Sequence, residues 1–221
     1  MSRGASRRWP HRKRPDARAL VGDAPVCFDT MILTALVQAN RTQLLIESMA
    51  QRARIVPRVA GELRGHCNWL PSVAAVMPPP VGAPRPRRSF GEMVQLTHAE
   101  AQRAADLQRA WNGKAVIDAD PRRDRGEAEC VAVCEARNWL LASQDHHAVG
   151  APGQRRQFVF GLPELLMLFA AEDRCLPENA WAIYRAIAEA NVKLVAQDWP
   201  CDEKSKTTFA ACCAEMMTKA A

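Results

Sequence analysis

Short apolar runs alternate with longer stretches of 3.6-residue periodicity along most of the chain, the pattern of strands alternating with helices. Ala24-Pro-Val-Cys-Phe-Asp29 is a brief apolar run ending in an acid, and Thr30 then opens a helical pattern of Ile32, Leu33, Leu36 and Val37. Thr42 to Ala50 continues at helical spacing through Leu44, Leu45, Ile46 and Met49. Ala53-Arg-Ile-Val offers a second strand, ended by Pro57, which suits the first turn of a following helix. That helix carries Val59, Glu62 and Leu63, and it fades between His66 and Leu70, where Pro71 forbids easy continuation.

From Pro71 to Arg88 the chain changes character: Pro78, Pro79, Pro80, Pro84 and Pro86 sit among Gly82, Arg85, Arg87 and Arg88, predicting a surface insertion with extended segments over 71–90. Met93 to Leu96 reads as a third strand, and Thr97-His-Ala-Glu100 has the capping-box spacing that opens a helix toward Trp111. Val116 and Ile117 precede a charged turn, Asp118 to Arg125. Gly126 leads into a helix from Glu127 that ends near Asn138, and Trp139 to Ser143 is a strand. Asp145, His146 and His147 follow, then a Gly and Pro turn, a strand over Gln157 to Phe160, and helices over Leu162 to Glu172 and Asn179 to Ala190. The tail beyond Asp198 fits no single element. The alternation predicts an α/β protein with a parallel sheet between helices, and no internal repeat is visible. Three regions follow: a basic arm over 1–23, a core over 24–160 containing the insertion, and a C-terminal helical extension over 161–221.

Composition adds one bias. A chain of 221 residues, 48% apolar and 24% charged, can bury a sizeable core, and its net charge of +6 with pI near 9.1 suits a polyanionic partner. The first segment is rich in arginine, from Arg3 to Arg18, and lacks the apolar stretch of a secretory signal. It serves either as a solvated tail or as a source of non-specific affinity for nucleic acid. The longest apolar stretch, around Leu162 to Ala171, is far short of the roughly 20 residues of a membrane span, so a soluble, cytoplasmic protein without membrane contact is expected. Eight cysteines lack zinc-knuckle spacing; Cys130 and Cys134 share a helix face at i and i+4, and buried thiols in a reducing compartment are the expectation. Trp111, Trp139 and Trp181 lie on apolar patterns and read as core rather than as base-stacking groups.

The chemistry lies in the acids. Parallel α/β sheets bind ligands beyond the carboxyl ends of their strands, and Asp29 and Asp145 both stand at a strand's end. Glu127 lies in the first turn of a helix, and Glu62 sits inside one. Singly, each has another reading: turn former, partner of a helix dipole, or solvent-facing side chain. Together they form an all-oxygen set, and clustered carboxylates are tolerated mainly when a hard cation such as magnesium or manganese neutralises them. Adjacent His146 and His147 diverge in direction and have no partners at zinc-ligand spacing.

Phe28-Asp-Thr-Met-Ile-Leu33 resembles the opening motif of PIN domains, and Val56-Pro-Arg-Val-Ala-Gly-Glu-Leu63 resembles their second acidic helix. Gly126-Glu-Ala-Glu129 and Ser143-Gln-Asp145 resemble the third and fourth motifs, and the likeness spans about residues 25 to 195. Phe158 to Asn191 is similar to the strand and helices closing PIN domains of the VapC-like toxin group. The resemblance implies a three-layer α/β/α fold with a central parallel sheet of about four to five strands plus C-terminal helices. It also implies that Asp29, Glu62, Glu127 and Asp145 are the catalytic, metal-binding acids for Mg²⁺ or Mn²⁺, with Thr30, Ser143 and, less directly, Glu129 supporting them. Glu127 and Glu129, at i and i+2, do not share a helix face. Gln144 stands where related sequences often carry another acid, Ala148-Val149 lacks an arginine often seen there, and the insertion lengthens the chain.

The implied activity is a metal-dependent endoribonuclease of the toxin-antitoxin kind, with RNA as substrate, an antitoxin protein as partner, and self-association. Two alternatives stay open. One is a PIN-type nuclease acting on DNA or in defence, since the metal reads phosphate rather than sugar. The other is a non-cleaving PIN-like scaffold for nucleic acid or protein.

Overall fold

The structure, a computed structural model, describes residues 22–80, 90–144, 159–172, 174–190 and 201–220. β1 (Val26–Phe28) leads to α1 (Thr30–Gln38) and α2 (Thr42–Met49), and β2 (Ala53–Ile55) leads to α3 (Pro57–His66) and a 3₁₀ segment, Pro71–Val76. β3 (Glu92–Met93) precedes α4 (His98–Asn112), α5 (Lys114–Ala119) and α6 (Arg125–Arg137). β4 (Leu140–Ala142) and β5 (Val159–Phe160) complete the sheet, and α7 (Leu162–Ala171), α8 (Pro177–Ala190) and α9 (Glu203–Ala220) follow.

The five strands form one all-parallel sheet in the order β3-β2-β1-β4-β5, as expected for a three-layer α/β/α protein. Every residue of β1 and β4 is buried, which explains why these strands read as continuous apolar runs and not as alternating ones: both faces of a parallel sheet are covered. The chain steps outward from β1 to β2 to β3 and then returns to lay β4 on the other side of β1. The point where the order reverses therefore lies between β1 and β4, where open α/β sheets place their ligands.

Local signals explain most helix boundaries. Thr97 and Glu100 form the anticipated capping box, Thr97 Oγ1 accepting from the Glu100 N–H at 3.2 Å and Glu100 Oε2 from the Thr97 N–H at 2.7 Å. Asn138 ends α6 at φ 56°, in the left-handed region that asparagine tolerates. α7 is buried along its whole length, with β5 on one side and α8 and α9 packed against it. Phe209 of α9 sits 5.4 Å from the Trp181 ring of α8.

Several expectations need correcting. Pro71 to Val76 is not a surface extension: Val73 and Val76 fall three residues apart in a 3₁₀ turn, project together and are fully buried against α1 and α3. Residues 81–89 of the insertion, and the basic arm up to residue 21, lie outside the described residues. Val116 and Ile117 belong to α5, which continues through Asp118, so the turn is confined to 121–124. The third strand is Glu92–Met93 rather than Met93 to Leu96, because its ladder is set by pairing with Arg54 and Ile55. The ambiguous tail forms helix over α9, whose Phe209, Cys213 and Met216 are buried. Trp181 is core, whereas Trp111 and Trp139 are only half-buried; Trp139 lies under the Arg137 guanidinium, 4.9 Å from the ring centre.

Candidate active site

The two central strands end level with each other. Phe28 pairs with Ala142, and the next N–H, that of Asp29, donates to the Ala142 carbonyl at 3.1 Å. Asp29 then turns the chain into α1 as its N-cap: Oδ1 accepts from the Met31 N–H at 2.5 Å and lies 3.4 Å from the Ile32 N–H. Its other oxygen accepts from the Ser143 hydroxyl at 2.6 Å. Ser143 is fully buried, so this bond fixes the carboxylate on a rigid sheet edge.

Glu62 reaches the same place from α3. Its Oε2 accepts from the Thr30 hydroxyl at 2.5 Å, and its Oε1 from Arg58 Nε at 3.2 Å. Gly126 makes room for it. A Cβ at that position would meet the Glu62 carboxylate oxygens at 3.1 and 3.3 Å, so the absence of a side chain lets the start of α6 press against Glu62. Glu127, the next residue, faces the same space. Asp29, Thr30, Met31, Val59, Glu62, Asp124, Gly126 and Glu127 line a single cavity of about 230 Å³ at the switch point.

Three of the four anticipated acids, Asp29, Glu62 and Glu127, are therefore brought together. Asp145 lies outside the described residues, as do His146 and His147. Of the two hydroxyls named with them, that of Thr30 donates to Glu62 and that of Ser143 to Asp29.

Glu129 does something different. It is buried, and its carboxylate accepts from the backbone N–H of Arg58 at 3.1 Å and from Arg125 Nε at 3.1 Å. Val56, the N-cap of α3, offers no capping side chain, so Glu129 supplies from α6 the acceptor that α3 lacks at its own start. It holds the helix that presents Glu62 without facing the cavity, as its i, i+2 offset from Glu127 requires.

Asp124 was not anticipated. It sits at φ 51°, makes no side-chain cap bond to α6 and lines the cavity. The one available signal was an aspartate directly ahead of the helix predicted at Gly126; the left-handed backbone that turns it inward is not legible in sequence. Gln144 accepts from the Leu162 N–H at 3.0 Å and ties the start of α7 to the end of β4.

Beneath the site, Cys130 and Cys134 face the sheet and are buried. The Cys130 thiol lies 3.7 Å from the Phe28 carbonyl and Cys134 3.4 Å from that of Leu140. Hydrogen bonding to Cys27 and burial push the Cys130 thiol well above its ordinary range, and burial does the same to Cys134. These are inert core thiols.

The donor set fits a hard divalent cation in kind, being carboxylate oxygens around a small polar cavity. Among the described residues, no three of His, Cys, Asp or Glu already form a group able to hold a metal ion. No protein-family profile, curated protein or solved structure matches the chain. Among the described residues, no helix is long and apolar enough to cross a membrane.

Proposed function

We propose that this cavity is the active site of a metal-dependent endoribonuclease resembling the VapC-like PIN enzymes. The observation that carries the reading is convergence: Asp29, Glu62 and Glu127, from three separate elements, line one cavity at the switch point of a parallel sheet. Asp29, Glu62, Glu127 and Asp145 would hold Mg²⁺ or Mn²⁺, which when bound supplies charge neutralisation and an acidified water for phosphodiester hydrolysis. Ser143 and Thr30 each lock one carboxylate in place before substrate arrives. Arg58, already on Glu62, limits the repulsion between the acids and adds positive charge beside the phosphate path. RNA as substrate, an antitoxin partner and self-association belong to the same proposal.

Purified full-length protein is expected to cut single-stranded RNA with Mg²⁺ or Mn²⁺ and not with EDTA. Asp29→Asn keeps an N-cap side chain of equal quality while removing the charge, and it is expected to lower the rate by roughly a hundredfold or more. Protein that degrades no RNA with either ion, and that behaves identically as Asp29→Asn, overturns the reading. A matched DNA oligonucleotide in the same assay tests the DNA alternative.

One observation favours a non-cleaving scaffold instead: Arg58 already compensates Glu62, so the pocket can persist without a cation. Calorimetric titration of Mn²⁺ decides, since a scaffold gives no binding heat that Asp29→Asn removes.

A further inference from the structure

We infer that Trp69, backed by His66, is a base-stacking subsite for single-stranded RNA at the open end of α3; the inference rests on the nuclease reading. Trp69 is 57% exposed, the only aromatic among the exposed large apolar side chains of the described residues. A tryptophan in water forgoes the largest burial any side chain offers, and its rigid face is the surface on which unpaired bases stack. Its backbone is held just beyond α3, the Trp69 N–H donating to the His66 carbonyl at 3.1 Å, and its ring lies 5.1 Å from the His66 ring.

His66 adds a second sign. Its Nδ1 is buried with no hydrogen-bond partner among the described residues. A buried ring nitrogen without a partner is unfavourable for the fold alone and calls for an explanation beyond stability. The packing orients Trp69 outward as a platform.

Position connects the platform to the cavity. Arg58, Glu62 and His66 recur every four residues along α3, and the Arg58–Glu62 ion pair at 3.2 Å confirms that this row forms one face. Glu62 reaches the cavity, and His66 lies one turn further along, about 6 Å on the helical rise. A strand whose phosphate meets the acids thus has a flanking nucleotide within reach of Trp69. Arg58, at the head of the same row, places positive charge on that face for the backbone of that strand.

The test measures binding of short fluorescent oligoribonucleotides to the full chain carrying Asp29→Asn, so that binding is read without cutting. Single abasic positions are placed along the RNA. Adding Trp69→Ala is expected to weaken binding by about tenfold to a hundredfold, while Trp69→Phe recovers most of the loss. The salt dependence stays unchanged, because no phosphate contact is removed. At the abasic position that weakens the parent most, Trp69→Ala has no further effect. If Trp69→Ala binds RNA like its parent, or loses affinity equally at every abasic position, the subsite is overturned while cleavage by the wild type still stands. A wild-type chain that neither binds nor cuts any RNA overturns the nuclease reading and the subsite with it.

Discussion

Glu127 and Glu129 lie two residues apart on one helix, yet their loss is expected to have opposite consequences. The Glu129 carboxylate is buried and accepts from the Arg58 N–H at the start of α3 and from Arg125. Glu129→Ala removes a hydrogen bond to a charged acceptor, about 1.5–3 kcal/mol, and leaves an N–H of α3 without its acceptor. The Arg125 pair is partly exposed and adds about 0–1 kcal/mol. The sum is about 2–4 kcal/mol, which in a domain of this size lowers Tm by roughly 5–15 °C. Glu127→Gln instead removes one of several like charges around a half-buried cavity and is expected to change stability by less than about 1 kcal/mol in either direction, while abolishing cleavage. Thermal unfolding followed by circular dichroism at pH 7, paired with the RNA assay on the same samples, separates the two. Equal losses of Tm for both variants, or an unchanged Tm for Glu129→Ala, would refute the assignment of Glu129 to the α3 cap.

Gly126→Ala should be nearly neutral for stability, since alanine's better helix propensity, up to about 1 kcal/mol, opposes a Cβ pressed to 3.1 Å from Glu62 Oε1. The displaced Glu62 should nevertheless lower cleavage by at least about tenfold, and a variant with wild-type rate argues against a need for that close approach. Glu100 accepts from Arg137 Nε at 2.7 Å and is held at about 2, chiefly by that Arg137 hydrogen bond, below its ordinary 4.5. Its folded pKa is the depressed one, so its stabilisation is fully present above about pH 4.5 and is lost as pH falls toward 2. Glu100→Gln should therefore flatten the fall in Tm between pH 4.5 and 2.5; a slope identical to wild type would remove this pair from the acid response.

Where an interaction spans three or four residues, the chain announces it. The Thr97 capping box, Pro57 in the first turn of α3 and the Asn138 stop all act within one turn, so spacing and residue type suffice. The α/β character and the buried central strands were equally legible, because a sheet covered on both faces requires continuous apolar runs. Tertiary structure alone decided what those acids meet. Thr30 finds Glu62 across 32 residues, Arg58 finds Glu129 across 71, and Ser143 finds Asp29 across 114. Such pairs depend on strand order and on helix approach, as at Gly126, and neither leaves a periodic trace. The same physics buried Val73 and Val76 in a stretch whose prolines read as surface, and turned Asp124 into the cavity through a backbone conformation that no spacing rule encodes. Sequence by itself thus determined the parts and the kind of chemistry they carry, whereas packing determined which carboxylate faces the cavity and which one fastens a helix.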